Sequence, residues 1–479
     1  MPQPNPLLVP LVSNAHADKP VAVAALPAKR RPFSCEILGG DAELAARLRL
    51  YDLQNGAWTL LGDGTAARTS ASGKAGIAIV PPDPGAKNVP NRFVVRMSKP
   101  YGETVNCRVA PVLLTSSLDP VETVFVVQSK LTGAFVAELT RLLPKCDGKP
   151  RLQVIDGSAV PHDIWMQDTV EIGVCAVPDG RGVKQIPVPL TGLRALHNGI
   201  KTAPFDDAVR QHFAAAARYV PVQAAASRPN TRWIDWFGNM EVSPPVPGFP
   251  HGRVLTGYQK DLRFHPDFLA FLEAQGLQVP PLFIDVSWLT IGHVDEIINF
   301  VPARGGKGFR ALLPSPALAK SLLETAAKNG HGNAPVFAGT KEATTVTRLL
   351  SEVAESGETR VIEKSLSETR RQLRAELALG DADIVTLPVL FKDGLPVIPN
   401  AVNSLVIGRD AIAPAPLGAK VGGTDIFEKA IRDALVPLGC RVHFVDIWEP
   451  YHTRSGEIHC GTNTVRRLQN PRWWANEKR

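Results

Sequence analysis

The chain has 479 residues, enough to bury a sizeable core without disulfide or metal staples, and about 150 residues per domain gives roughly three domains or two unequal ones. Its 44% hydrophobic and 21% charged residues read as an ordinary globular protein, and no apolar run approaches the ~18 residues of a membrane-spanning helix, which excludes an integral helical membrane protein. The net charge of +7 raises the question of nucleic acid, but its distribution argues against it. Residues 1–100 hold 12 basic and 7 acidic side chains, residues 464–479 hold 5 and 1, and the 363 between them hold 36 and 38.

In chain order, residues 1–32 are rich in Pro and Ala without periodicity and predict a flexible arm ending in Lys29-Arg30-Arg31. Ala15-His16-Ala17 loosely mimics a signal cleavage site. No Lys or Arg precedes it and Pro10 breaks the apolar stretch, so a cytoplasmic location is expected. Residues 33–103 predict a small all-β sandwich. Leu48–Leu53 alternates, Trp58–Leu61 follows the Asn55-Gly56 turn, Ile77–Val80 is bounded by Gly and Pro-Pro, and Pro81–Asn91 leads into Arg92–Val95. From residue 104 to 479 the texture is mixed α/β. Strands are expected at Val124–Val127, Leu152–Ile155 and Phe283–Val286. Helices are expected at Phe135–Leu143, Pro266–Ala274, Leu349–Val353, 359–380 and Ile426–Leu435. There is no strong internal repeat, no G-x-G-x-x-G after a strand and no P-loop. The six cysteines have no metal-ligand spacing, so most are expected to be reduced, buried apolar residues.

Four short clusters concentrate chemistry: Trp165–Glu171, Trp233–Pro245, Gly292–Glu296 and Gly456–Asn463. In a strand, His293 and Asp295 would share a face, as an acid/base or metal pair, or as a hydrogen-bonded pair at a strand edge. Cys460 lies among Gly and polar residues, a setting for a nucleophile as well as for a structural thiol. Trp165 and Asp168 combine an aromatic wall with a carboxylate, which suits a flat cation, or form a core Trp beside a turn Asp. Gln167, Glu171 and Glu241 offer hard oxygen donors of the kind calcium takes, or a solvated acidic face. Together, a Cys, a His and two Asp without a redox motif fit attack on a guanidinium. Two carboxylates hold its planar fork, a thiolate adds to the carbon, and a His protonates the leaving ammonia.

Beyond this chemistry, the chain from about Arg108 to Trp474 resembles the catalytic domain of the peptidylarginine deiminases. The matches include Trp165-Met166-Gln167-Asp168 with Glu171-Ile172-Gly173, and Phe237-Gly238-Asn239 with Glu241-Val242-Ser243-Pro244-Pro245. They continue through Gly292–Glu296, Gly308–Leu313, Gly330-His331-Gly332, Pro399-Asn400, Gly456–Asn463 and Trp473-Trp474. The resemblance implies an α/β fold, a five-bladed propeller of the pentein type after an immunoglobulin-like sandwich, and hydrolysis of protein arginine to citrulline and ammonia. It makes Cys460 the nucleophile and His293 the general acid and then base, with Asp168 and Asp295 gripping the guanidinium. Trp165 would line the slot, Arg181 would contact the substrate backbone, and Arg454 would be a further active-site arginine.

The resemblance also implies calcium, held by Gln167, Glu171 and Glu241 with the backbone carbonyls of Phe237 and Met240. A second family calcium site would use positions occupied here by Thr169, Ala176, Val177 and Gly180, so one ion is expected. The partners implied are protein or peptide arginines and a second copy of the chain in a homodimer, without nucleic acid or membrane. The competing readings are a deiminase or amidinotransferase acting on free arginine, agmatine or another small guanidine, an inactive basic binding module, and a metal hydrolase built on His293 and Asp295.

Overall fold

A computed structural model describes residues 6–38, 42–81, 92–98, 101–158, 163–180, 182–191, 194, 196–197, 200–201, 203–223, 233–356 and 358–475. Near the amino terminus, two sheets face each other. One has the order Leu7–Val9, Thr104–Val109, Arg92–Met97, Phe33–Leu38, Arg68–Ser70; the other runs Ala24–Ala25, Ala75–Ile79, Leu48–Gln54, Ala57–Asp63. Alternation places Phe33, Cys35, Val95, Leu48, Leu50, Ile77 and Ile79 in the core between them. Asn55 and Gly56 both take positive φ (50° and 83°), as a tight two-residue hairpin turn requires.

Two expectations are corrected here. The arm expected to be flexible is part of the sandwich from Leu7 onward. Leu7–Val9 pairs in parallel with Cys107–Val109, the Val12 N–H donates to the Ile79 carbonyl (2.8 Å), and Tyr51 Oη donates to the Ala17 carbonyl (2.9 Å). Its Pro and Ala content hid a segment whose Val9, Leu11 and Val12 are buried. The boundary at 103/104 also fails, because Thr104–Val109 is a strand of the same sandwich sheet.

The remainder repeats one unit five times. Each unit is an antiparallel hairpin whose second strand pairs in parallel with a third. The first strands are Glu171–Asp179, Met240–Val242, Asn299–Pro302, Leu405–Ile407 and Thr462–Arg466. Their partners are Gly182–Thr191, Val254–Tyr258, Phe309–Ser315, Asp410–Pro414 and Val121–Gln128. The third strands are Val222–Gln223, Leu282–Asp285, Ile384–Pro388, Arg441–Val445 and Arg151–Asp156. Parallel pairing needs a crossover, and helices supply it. Gly133–Leu142, Ala203–Ala214, Pro266–Gln275, Pro316–Ala326 and Ile426–Leu435 each lie between a second and a third strand. The fifth unit joins the last strand of the chain to early ones, which closes the ring as a five-bladed α/β propeller. The repeat is structural: the blades share connectivity, not sequence. One apolar cluster runs from the sandwich (Val9, Phe33, Ile79) into the first blade (Val174, Ile186, Val188) and Trp473, so the two pack on a common core.

Candidate active site

Each inner strand is preceded by a short segment that delivers polar side chains to one end of the ring. Asp168 comes from the turn Met166–Thr169 before the first inner strand. Phe237–Asn239 precedes the strand bearing Glu241, and His293 with Asp295 precedes Asn299–Pro302. Asn400 and Asn403 precede Leu405–Ile407, and Cys460 precedes Thr462–Arg466. Ring closure therefore brings together residues nearly 300 positions apart in sequence, such as Gln167 and Asn463.

His293 and Asp295 do not share a strand face. His293 caps a 3-10 turn, Val294–Glu296, and its backbone N–H donates to Glu296 Oε1 (2.9 Å). Its Nε2 bonds the Trp233 carbonyl (2.7 Å), which leaves Nδ1 facing Asp168 Oδ1 at 3.5 Å. That oxygen is buried and has no hydrogen-bond partner. Burial pushes the Asp168 carboxyl up to about 6, against the pull of His293 and Arg194. A side chain at position 238 would destroy the pairing, since a Cβ on Gly238 would lie 2.5 Å from both Asp168 Oδ1 and His293 Nδ1.

Cys460 lies in the turn Ile458–Gly461, where its N–H donates to Asn403 Oδ1 (3.2 Å). Its Sγ is 3.5 Å from Asp295 Oδ2, and Asn403 Nδ2 donates to the Asp295 carbonyl (3.2 Å). Burial first, and then the Asp295 and Asp168 carboxylates, push the Cys460 thiol well above its ordinary value. Asp295 Oδ1 is a second buried oxygen without a partner. Trp165 packs near Tyr451 (centroids 5.7 Å apart) and over Gly456, where a Cβ would meet the indole at 2.3 Å. Arg454 is exposed on the turn before Cys460, and Arg181 lies outside the described residues.

Beside these residues sits a carboxylate cluster. Gln167 Nε2 donates to Glu171 Oε2 (2.8 Å), and Asn463 Nδ2 donates to Gln167 Oε1 (2.9 Å). Glu241 Oε1 is buried with no hydrogen-bond partner. Desolvation pushes Glu171 up to about 7 and Glu241 up to about 8. Next to Glu241 in the chain, the Phe237 carbonyl accepts from the Met240 N–H at the end of the turn Phe237–Asn239, and Met240 opens the strand that bears Glu241. Buried carboxylates favour the neutral form unless a cation joins them. Oxygen donors with an open lone pair on Glu241 form a set that fits a hard divalent cation such as calcium.

Two charged residues here received no role from the sequence. His459 Nδ1 lies 2.9 Å from Asp295 Oδ2, and its Nε2 lies 3.6 Å from Glu241 Oε1. Against the effect of burial, the Asp295 hydrogen bond and neighbouring carboxylates hold its imidazole up at about 9. Arg194 is buried against Asp163 and Asp206 (Nε to Oδ1, 3.1 Å) and stacks over the Trp236 ring at 4.6 Å. The position of His459 beside Cys460 was a signal for the first; nothing in the sequence marked the second. A separate grouping of Cys146, Asp410 and His443 is an ion-pair cluster, because the Arg441 guanidinium already sits on Asp410 (2.6 Å).

Residues 99–475 match the family model of protein-arginine deiminase. The chain belongs to the protein-arginine deiminase family. It is 34% identical over 394 residues to the type-4 enzyme of Mus musculus, and 33% identical over 392 residues to the type-3 enzyme of Homo sapiens. Each alignment covers 78% of this chain and 57% of the relative, so the chain spans little more than half the length of the curated relatives it matches. Among solved structures, the agmatine deiminase of C. jejuni aligns with 74% of this chain and 96% of its own, at a TM-score of 0.39 and 11% identity. Among the described residues, no helix is long and apolar enough to cross a membrane.

Proposed function

We propose that the protein hydrolyses arginine side chains of proteins or peptides to citrulline and ammonia. The observation that carries this reading is the pair of buried, open carboxylate oxygens, Asp168 Oδ1 and Asp295 Oδ1, set around Cys460 and His293. A substrate guanidinium satisfies both oxygens and supplies the missing positive charge. That charge also opposes the carboxylates that disfavour the Cys460 thiolate, so substrate binding helps generate the nucleophile. Trp165 lines the slot for the aliphatic stem, Arg181 would contact the substrate backbone, and Arg454 would be a further substrate-binding arginine.

The thiolate of Cys460 adds to the guanidinium carbon, which becomes tetrahedral. One C–N bond then breaks, and ammonia leaves with a proton from His293. The carbon remains bound to sulfur as a thiouronium. Water, deprotonated by His293, attacks that carbon, the C–S bond breaks, and citrulline departs. Nε2 of His293 is held by the Trp233 carbonyl, so Nδ1 is the nitrogen free for these transfers. The two aspartates fix the carbon in line with sulfur, an orientation effect that accounts for a large share of such rate gains.

Gln167, Glu171, Glu241 and the carbonyls of Phe237 and Met240 would hold calcium. When bound, the ion would supply divalent charge that keeps Glu171 and Glu241 ionised next to the site. Citrulline release from an arginine peptide, with calcium and with chelator, tests both halves. Peptide turnover that responds to calcium is expected; turnover of free arginine alone would refute the protein-substrate reading.

A further inference from the structure

The inner strands begin at the active-site residues and end at hairpin turns on the opposite mouth of the ring. Connections of four blades meet there around a cavity of about 520 Å³. They are 243–251, 302–309, 408–409, and the pair 116–119 with 468–470. The volume lies within the range of small-molecule sites, roughly 300–1,000 Å³. Pro245, Pro302 and Phe309 give the cavity apolar walls, and two cations, Lys307 and Arg409, stand at it.

The charged groups that line this cavity differ in how they are partnered. Asp147 and Asp119 also line it, but both are engaged. Asp147 binds Arg441 Nη2 (2.5 Å) and the Arg409 backbone N–H (2.9 Å). Asp119 accepts from the backbone N–H groups of Gln469 (3.0 Å) and Ser116 (2.9 Å). Lys307 and Arg409 enter none of the ion pairs found among the described residues. Lys307 rides on the loop Arg304-Gly305-Gly306-Lys307-Gly308, in which all three glycines take positive φ (77°, 57° and 81°). Glycines of this kind allow a ligand to approach the backbone closely. In the wall, buried His251 Nε2 has no hydrogen-bond partner.

We infer that this distal cavity binds a small organic anion. Lys307 and Arg409 take its charged group, and Pro245, Pro302 and Phe309 take its apolar body. The site is separate from the reaction proposed above and stands or falls without it.

Phenyl phosphate is a suitable probe for the full chain, followed by ligand-observed NMR and calorimetry, with phenol and inorganic phosphate as controls. Phenyl phosphate is expected to bind more tightly than either control, and the pair K307A/R409A is expected to weaken it at least tenfold. Thermal melting of the variant at the wild-type temperature confirms an intact fold; if the pair fails to fold, Arg409→Gln alone is expected to weaken binding at least threefold. Absence of saturation at millimolar phenyl phosphate, equal affinity in the variant, or equal binding of phenol would overturn the inference.

Discussion

Asp52 in the sandwich and Asp168 in the propeller are both buried aspartates, and the molecule treats them in opposite ways. Asp52 accepts from the hydroxyls of Ser70 (2.6 Å) and Ser72 and from the Gln54 amide (3.1 Å). These bonds outweigh its desolvation and hold its carboxyl below the usual value. Asp168 keeps an oxygen without any hydrogen bond, and burial pushes its carboxyl up to about 6. Every donor to Asp52 lies within 20 residues of it, a local arrangement complete in itself. Asp168, Asp295 and Glu241 each retain an open oxygen where strands from different blades converge. A buried polar atom left unsatisfied costs about 1–3 kcal/mol, more if charged, so three at one end of one ring mark a place built for a ligand. Between these two aspartates it is the hydrogen bonds made, and not burial, that separate the roles.

The contrast can be broken at several points. The largest effect should come from the cysteines. Cys460→Ala is expected to abolish citrulline release, while Cys35→Ala, in the sandwich, should leave it within about twofold, since substitutions away from the reacting atoms act mainly on stability. Next come the aspartates themselves. Asp168→Asn should lower kcat/KM by about 100-fold, the value of a lost charge-assisted hydrogen bond in a dry site. Asp52→Asn should leave kcat/KM unchanged and lower stability by about 1–3 kcal/mol in urea titration, since an amide cannot accept all of these hydrogen bonds. If both variants lost only stability, the distinction would collapse.

Arg194→Met probes a buried ion-pair cluster in the propeller, in which Asp163 Oδ1 and Asp206 Oδ2 also lack hydrogen-bond partners. It leaves Asp163 and Asp206 without their cation, and a loss of about 3–5 kcal/mol is expected in the same titration. Glu241→Gln should weaken calcium binding measured by calorimetry; the wild-type protein, saturated at 100 times Kd, should gain about 2.7 kcal/mol of stability from the ion. An unchanged calorimetric Kd would remove Glu241 from the site. The smallest effect concerns pH. Because the folded-state value of Asp52 is depressed, its contribution is fully present above the ordinary carboxylate range and is lost as pH falls through the folded value. Asp52→Asn should therefore flatten the acid limb of the stability curve and leave its alkaline limb alone.

Much of this was legible in the sequence wherever the signal was local. The helix expected at Ile426–Leu435 has those bounds, and that expected at 359–380 runs Glu358–Glu376, because apolar spacing and Glu/Arg pairs act within a few turns. The four polar clusters were visible because each is a short segment before an inner strand. The fivefold repeat was not, since inner strands range from three residues (Met240–Val242) to nine (Glu171–Asp179) and share connectivity rather than composition. The amino-terminal arm misled because its buried apolar residues, Val9, Leu11, Val12, Ala17 and Leu26, are spaced too irregularly among prolines to show periodicity. His459 drew no role because ring closure sets its partner, Asp295, 164 residues away, whereas Arg194 pairs with Asp206 and Asp163, only 12 and 31 residues away.

The role proposed for the open carboxylates is to hold a peptidyl guanidinium for attack by Cys460. It is tested most directly by mass spectrometry of an arginine peptide with blocked termini, incubated with wild-type protein or Cys460→Ala in calcium. Conversion of arginine to citrulline by the wild type alone, faster than conversion of free arginine, is the predicted result. Undiminished conversion by Cys460→Ala would contradict the account.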